Sequence, residues 1–175
     1  GSEVADTTTE DVLPDIAVDT GPVACDPPLS IEPKDAHRLA LQLLQFSVMG
    51  GTGAYTFELV ENPSGSMLEP VLGSYLAGVI TGVTDRVRVT DTGCVGSDEV
   101  SVNIDVEMTV LPQTVELGPA MGFQIDISDG SGSVGYSFTN NGSGGTISPT
   151  GLYTAGPEAG ADVIEVLDFE TEQVE

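Results

Sequence analysis

Apolar residues recur at alternate positions in short runs along the chain. Examples are Phe46-Ser47-Val48, Tyr55-Thr56-Phe57-Glu58-Leu59, Val87-Arg88-Val89 and Val100-Ser101-Val102-Asn103-Ile104. A period of two puts those side chains on one face of a strand and predicts strands with one side buried. Between the runs lie Gly50-Gly51-Thr52-Gly53, Asn62-Pro63-Ser64-Gly65 and Asp91-Thr92-Gly93. These read as turns, because Gly and Asn adopt positive φ at little cost. Several short strands separated by such turns predict an all-β sandwich. Residues 36–44 contain good helix formers and could make a short amphipathic helix. Their place in the overall pattern favours a strand instead, with Leu39, Leu41 and Leu43 on one face.

That pattern occurs twice. Laying Gly51-Thr52-Gly53 on Gly130-Ser131-Gly132 brings Gln45-Phe46-Ser47-Val48 onto Gln124-Ile125-Asp126-Ile127. It also brings Gly73-Ser74-Tyr75-Leu76-Ala77-Gly78 onto Gly151-Leu152-Tyr153-Thr154-Ala155-Gly156, and Asp85 through Asp91 onto Asp162 through Asp168. Landmarks recurring in one order at one spacing indicate an internal repeat. The expected organisation is a leader over residues 1–23, a first module over 24–106 and a second over 107–175. On this alignment Val174-Glu175 falls where the first module's last strand begins. The second module is therefore expected to have a truncated last strand and a strand-deficient edge.

The 175 residues carry 28 acidic side chains against four basic ones, a formal net charge of −24. Such a surface repels nucleic acid and anionic lipid, so neither is an expected partner. No apolar run of about 18 residues is present to insert in a bilayer. A mean hydropathy of +0.11 with 39% hydrophobic residues still provides a core. The leader is the exception: rich in Asp, Glu and Thr, it reads as a flexible acidic tether. Its one apolar stretch includes Leu13, Ile16 and Val18, and could add to a sheet edge. The two cysteines, Cys25 and Cys94, are too far apart for a CxxC motif and lack a second pair for zinc. One disulfide is the simplest reading and implies an oxidising compartment; two unrelated buried thiols is the other.

Little catalytic chemistry is visible. His37 is the single histidine, beside Lys34 and Arg38 and without a nucleophile motif, so it reads as an exposed strand-end residue. With no tryptophan and 5% aromatic residues, a sugar-stacking groove is hard to build. No cofactor is expected. Calcium is the one ion to weigh, through Asp126 and Asp129 with Ser128 and Gly130, and through Asp98-Glu99, although no EF-hand spacing is present. Gly142-Ser143-Gly144-Gly145 reads as a hairpin turn.

The glycine turn and aromatic strand of Gly50 through Phe57, and the late strand and turn Val89-Thr90-Asp91-Thr92-Gly93-Cys94, resemble bacterial cell-surface immunoglobulin-like repeats, including those of large gliding adhesins. The leader resembles the tether of some surface lipoproteins. The resemblance implies two tandem immunoglobulin-like modules with Cys25 paired to Cys94, and no bridge in the second module. It also implies a non-catalytic extracellular role in contacts with other surface proteins or with itself. Two alternatives carry different expectations: a self-assembling fibre, in which residues 13–18 of one chain complete the open edge of the next, and a passive spacer for an enzyme domain outside these residues.

Overall fold

The computed structural model describes residues 21–175, which are entirely β and turn. The leader segment with Leu13, Ile16 and Val18 lies outside the described residues. Nine strands come first: β1 (Ser30–Glu32), β2 (Asp35–Arg38), β3 (Leu43–Gln45), β4 (Ser47–Met49), β5 (Tyr55–Glu61), β6 (Met67–Leu68), β7 (Ser74–Leu76), β8 (Val83–Asp91) and β9 (Ser97–Ile104). Seven follow: β10 (Thr109–Leu111), β11 (Gly122–Gln124), β12 (Asp126–Ser128), β13 (Val134–Asn141), β14 (Thr146–Ile147), β15 (Leu152–Thr154) and β16 (Asp162–Asp168). Among the described residues no sheet mixes strands of the first set with strands of the second. The architecture is all-β, as the alternation predicts.

In the first set, sheet β2-β9-β8-β5 faces sheet β3-β7-β6, with β1 paired to β4 alongside. All pairings are antiparallel except β2 with β9. The alternation of β8 sends Asp85, Val87, Val89 and Asp91 inward, and that of β9 sends Val100, Val102 and Ile104 to meet them. Phe46 lies between Phe57 and Tyr75, with ring centroids 6.4 Å and 6.0 Å away. On the outer face of the same sheet, Arg86 and Arg88 both pair with Glu99, and reach Glu61 and Glu58 respectively. Such exposed pairs each contribute about 0–1 kcal/mol. The fold is held chiefly by the apolar interior.

The second set contains β10-β12, β11-β15-β14 and β13-β16, and among the described residues Val174 and Glu175 are the ones that meet β16 on the side where β9 meets β8. Residues 114–117, at the position of β2, form no ladder, because the partner of β2 is β9. The second set's buried apolar side chains are Met108, Tyr153 and Val166, fewer than in the first set.

Two local expectations are corrected. Residues 36–44 do not form one strand with a leucine face. The chain turns after β2, Leu41 takes a left-handed φ of 63°, and Leu41 and Leu43 point to solvent. The turn is fastened where Gln42 Oε1 accepts the Leu39 N–H at 2.8 Å. Gly142 through Gly145 is a turn but not a hairpin, since β13 pairs with β16 and β14 with β15. The segment carries the chain from one sheet to the other.

Candidate functional site

The polar side chains that look reactive are consumed by the fold. Asp85, fully buried, accepts the Ser64 N–H at 3.0 Å, the Ser64 hydroxyl at 2.5 Å and the Tyr75 hydroxyl at 2.6 Å. Asp162 accepts the Ser143 N–H at 2.7 Å, the Ser143 hydroxyl at 2.6 Å and the Tyr153 hydroxyl at 2.5 Å. A second pair of aspartates closes the other end of the long strands. Asp91 accepts Thr52 N–H and hydroxyl, each at 2.6 Å, and the Gly93 and Cys94 amides. Asp168 does the same with Ser131, Glu170 and Thr171. The hydroxyls of Ser64, Tyr75, Thr52, Ser131, Ser143 and Tyr153 each donate to one of these carboxylates.

The charges follow from these bonds. Burial opposes ionisation of Asp85, but the Ser64 and Tyr75 hydroxyls outweigh it and hold its pKa below the usual value. The hydroxyl and amide of Thr52 lead in lowering Asp91 to about 2. Burial, and then the bond to Asp85, push Tyr75 far up. The period-two phase contained the signal for all four acids, since Asp85 and Asp91 share parity with Val87 and Val89. An acid in that phase faces the core and must be bonded there.

His37 donates from Nδ1 to Asp105 at 2.8 Å, and its Nε2 lies 3.4 Å from the Asn103 amide. Asn103 in turn bonds Asp35 and Thr84, at 2.9 Å and 2.8 Å. The ring is half-buried rather than an exposed strand-end residue, and no nucleophile meets either nitrogen.

Cys25 and Cys94 form a disulfide that closes a 69-residue separation. Thr171 stands where Cys94 stands in the first set. Its hydroxyl is buried without a partner, and its carbonyl accepts the Gln42 side-chain amide at 3.1 Å, across from the first set. Among the described residues, the one group of three potential metal-ligating side chains is Cys25, Asp91 and Cys94, whose sulfurs are tied to each other. Asp126 ends up opposite Leu111 on β12, and Asp129 sits in the following turn with φ 62°.

Among the described residues, the outer edge of β16 is paired at its C-terminal end. Val166 exchanges both backbone bonds with Glu175, at 2.9 Å and 3.0 Å, and Leu167 bridges Val174. In an antiparallel ladder alternate residues point their backbone groups the same way. Ile164 and Asp162 therefore direct theirs to the same side, where no strand lies among the described residues. Beside this edge runs an open groove of about 980 Å³ lined by Val115, Leu117, Phe123, Ile125, Ile164 and Val166, among others. In the first set β9 fills the equivalent space.

No protein-family model matches the chain, and no curated protein does. Solved structures match in fold. The chain is similar to the C-terminal 282-residue fragment of intimin, solved in complex with the translocated intimin receptor intimin-binding domain, at TM-score 0.52 and 13% identity, covering 83% of this chain and 60% of that one. It thus spans less than two thirds of that fragment. Weaker likenesses are human protocadherin-24 EC1-2, at TM-score 0.36 and 12% identity over 88% of this chain and 93% of that one, and Drosophila N-cadherin EC1-4, at 0.35 and 13% over 84% and 47%. At these identities the likeness to the intimin fragment carries one conclusion: the chain has an immunoglobulin-like β fold.

Proposed function

We propose that this chain is a non-catalytic, extracellular adhesive segment of a bacterial surface protein, built from two tandem modules over residues 24–106 and 107–175 behind an acidic tether. The observation that carries the reading is the immunoglobulin-like β fold, similar to that of the intimin fragment, in which the aspartates at the ends of the long strands are bonded within the fold. The disulfide between Cys25 and Cys94 supports an oxidising location. Duplication of the aspartate clusters supports tandem copies. The intimin fragment, with a receptor domain bound, offers a precedent for this fold acting through protein contacts.

Display of the 175-residue chain on the surface of a non-adherent bacterium tests this reading. Increased cell–cell or cell–surface attachment relative to empty display is the expected result. Attachment indistinguishable from empty display refutes it and leaves the passive spacer.

A further inference from the structure

The outer face of β2, β9 and β8 gathers a group of polar side chains. Ala36, Val102, Ile104 and Asp85 point inward, so period two turns Asp35 and His37 on β2, Asn103 on β9 and Thr84 on β8 to the other side. The register sets His37 beside Asn103, and Asn103 beside Thr84. With Asp105 they line an open cleft of about 430 Å³. The repeated fold does not require this set. Carrying the alignment of Asp85 with Asp162 back by one residue lays Ala161 on Thr84, and the chain has no second histidine.

Two acceptors converge in the cleft. Asp105 accepts from His37 Nδ1 at 2.8 Å, which leaves the ring's lone pair on Nε2. Nε2 and Asp35 Oδ1 both face the side-chain nitrogen of Asn103, at 3.4 Å and 2.9 Å. One neutral amide therefore stands where an imidazole nitrogen and a carboxylate both aim. Among the described residues no lysine or arginine pairs with Asp35 or Asp105. Lys34 pairs with Asp98, Arg86 and Arg88 pair with Glu58, Glu61 and Glu99, and Arg38 donates to the His37 and Leu43 carbonyls.

A half-turn of the Asn103 amide exchanges its nitrogen for its oxygen. Thr84, whose hydroxyl donates to the amide oxygen at 2.8 Å, can then accept from the nitrogen instead. Three donors of electron pairs then face one point. The geometry points to a binding site for a transition-metal dication, zinc by the character of its donors, held by His37 Nε2, Asp35 and the Asn103 amide oxygen with an outer position open to water. Three protein ligands and a water make the open form of a zinc site. Calcium fits less well, because it takes oxygen donors whereas imidazole suits zinc and copper. Asp105 stands behind the histidine as carboxylates do behind metal-bound imidazoles, fixing the tautomer and the ring. The inference goes beyond the adhesive reading and does not depend on it.

The test uses the intact 175-residue chain, with zinc chloride as probe and calcium chloride as competitor, at a salt concentration that screens loose association with surface acids. Isothermal titration calorimetry should give one zinc per chain, undisturbed by excess calcium. Because His37 is the single histidine, its ring nitrogens give proton–nitrogen correlation signals that need no assignment. Zinc should move the Nε2 signal while Nδ1 keeps its proton. Asp105→Asn should weaken zinc about 10–100-fold, the range for losing the partner of a ligating histidine. Asn103→Asp exchanges the amide oxygen for a charged one and should tighten zinc, whereas a role confined to joining β2 and β9 would leave the affinity unmoved.

An Nε2 signal that does not move at saturating zinc overturns the proposal, because any heat would then come from surface acids. So does an unchanged affinity in Asn103→Asp. One zinc shared between two chains, with zinc-dependent dimers, also overturns it by placing the ligands on separate copies. His37→Gln, shown to be folded by far-UV circular dichroism, should lose the zinc isotherm, and its retention is the remaining refutation. Metal affinity is read in solution, so its outcome and that of the attachment assay are decided separately.

Discussion

Replacing Tyr75 by Phe tests whether the buried aspartate clusters anchor the fold. Tyr75 is fully buried, its hydroxyl donates to Asp85 Oδ2 at 2.6 Å, and its ring meets Phe46 edge-on. The substitution keeps the ring and removes one donor from a carboxylate that water cannot reach. Hydrogen bonds to charged groups contribute about 1.5–3 kcal/mol, so a loss of about 2 kcal/mol is expected. Urea unfolding followed by far-UV circular dichroism measures it as a lower midpoint at unchanged slope. A second consequence has a definite sign. The Tyr75 bond lowers the Asp85 pKa, so without it that pKa rises towards its ordinary value. The acid-unfolding midpoint then moves to higher pH. Tyr153→Phe provides the comparison, since Tyr153 makes the same bond to Asp162 in the less enclosed second set and should matter less. A Tyr75→Phe change below about 0.5 kcal/mol, within the range of unremarkable surface substitutions, would refute the anchoring argument.

Stability should fall as pH drops from near the ordinary aspartate value of 3.8 towards about 2, because Asp91 is held at about 2 in the fold and Asp85, Asp162 and Asp168 are also lowered; thermal melts between pH 6 and pH 2 check it. Reducing the Cys25–Cys94 bridge reopens a 69-residue separation and should cost about 4 kcal/mol on loop-entropy grounds, seen as a lower urea midpoint for the first strand set with the second unchanged. Gly78→Ala would place its Cβ 2.0 Å from the Ser64 carbonyl oxygen, backbone that has little room to yield, and should destabilise by about 2 kcal/mol or more in the same assay.

The strands were legible because alternation and burial follow from one geometry. Val87, Val89, Val100 and Val102 face inward as their spacing requires. Residues 36–44 were not, because their leucines satisfy a strand pattern that the turn at Leu41 interrupts, and a single left-handed residue leaves no trace in hydrophobic periodicity. The same limit applies to Gly142 through Gly145, where turn composition is clear but the identity of the strands being joined depends on long-range pairing. Of the candidate site, the aspartates were legible as acids in phase with the inward valines of the long strands, whereas their partners Ser64 and Tyr75, or Ser143 and Tyr153, are brought to them by contacts that periodicity does not record.

The two strand sets share their aspartate clusters yet differ in how well they close. In the first, β9 covers β8 along almost its whole length, and twelve side chains form one buried cluster. In the second, the Asp162 and Asp168 clusters retain the same partners although Phe123, Ile125 and Ile164 are only partly buried. The clusters therefore do not depend on a completed core: they fix turns to the ends of the long strand, and the strand that completes the sandwich is a separate contribution.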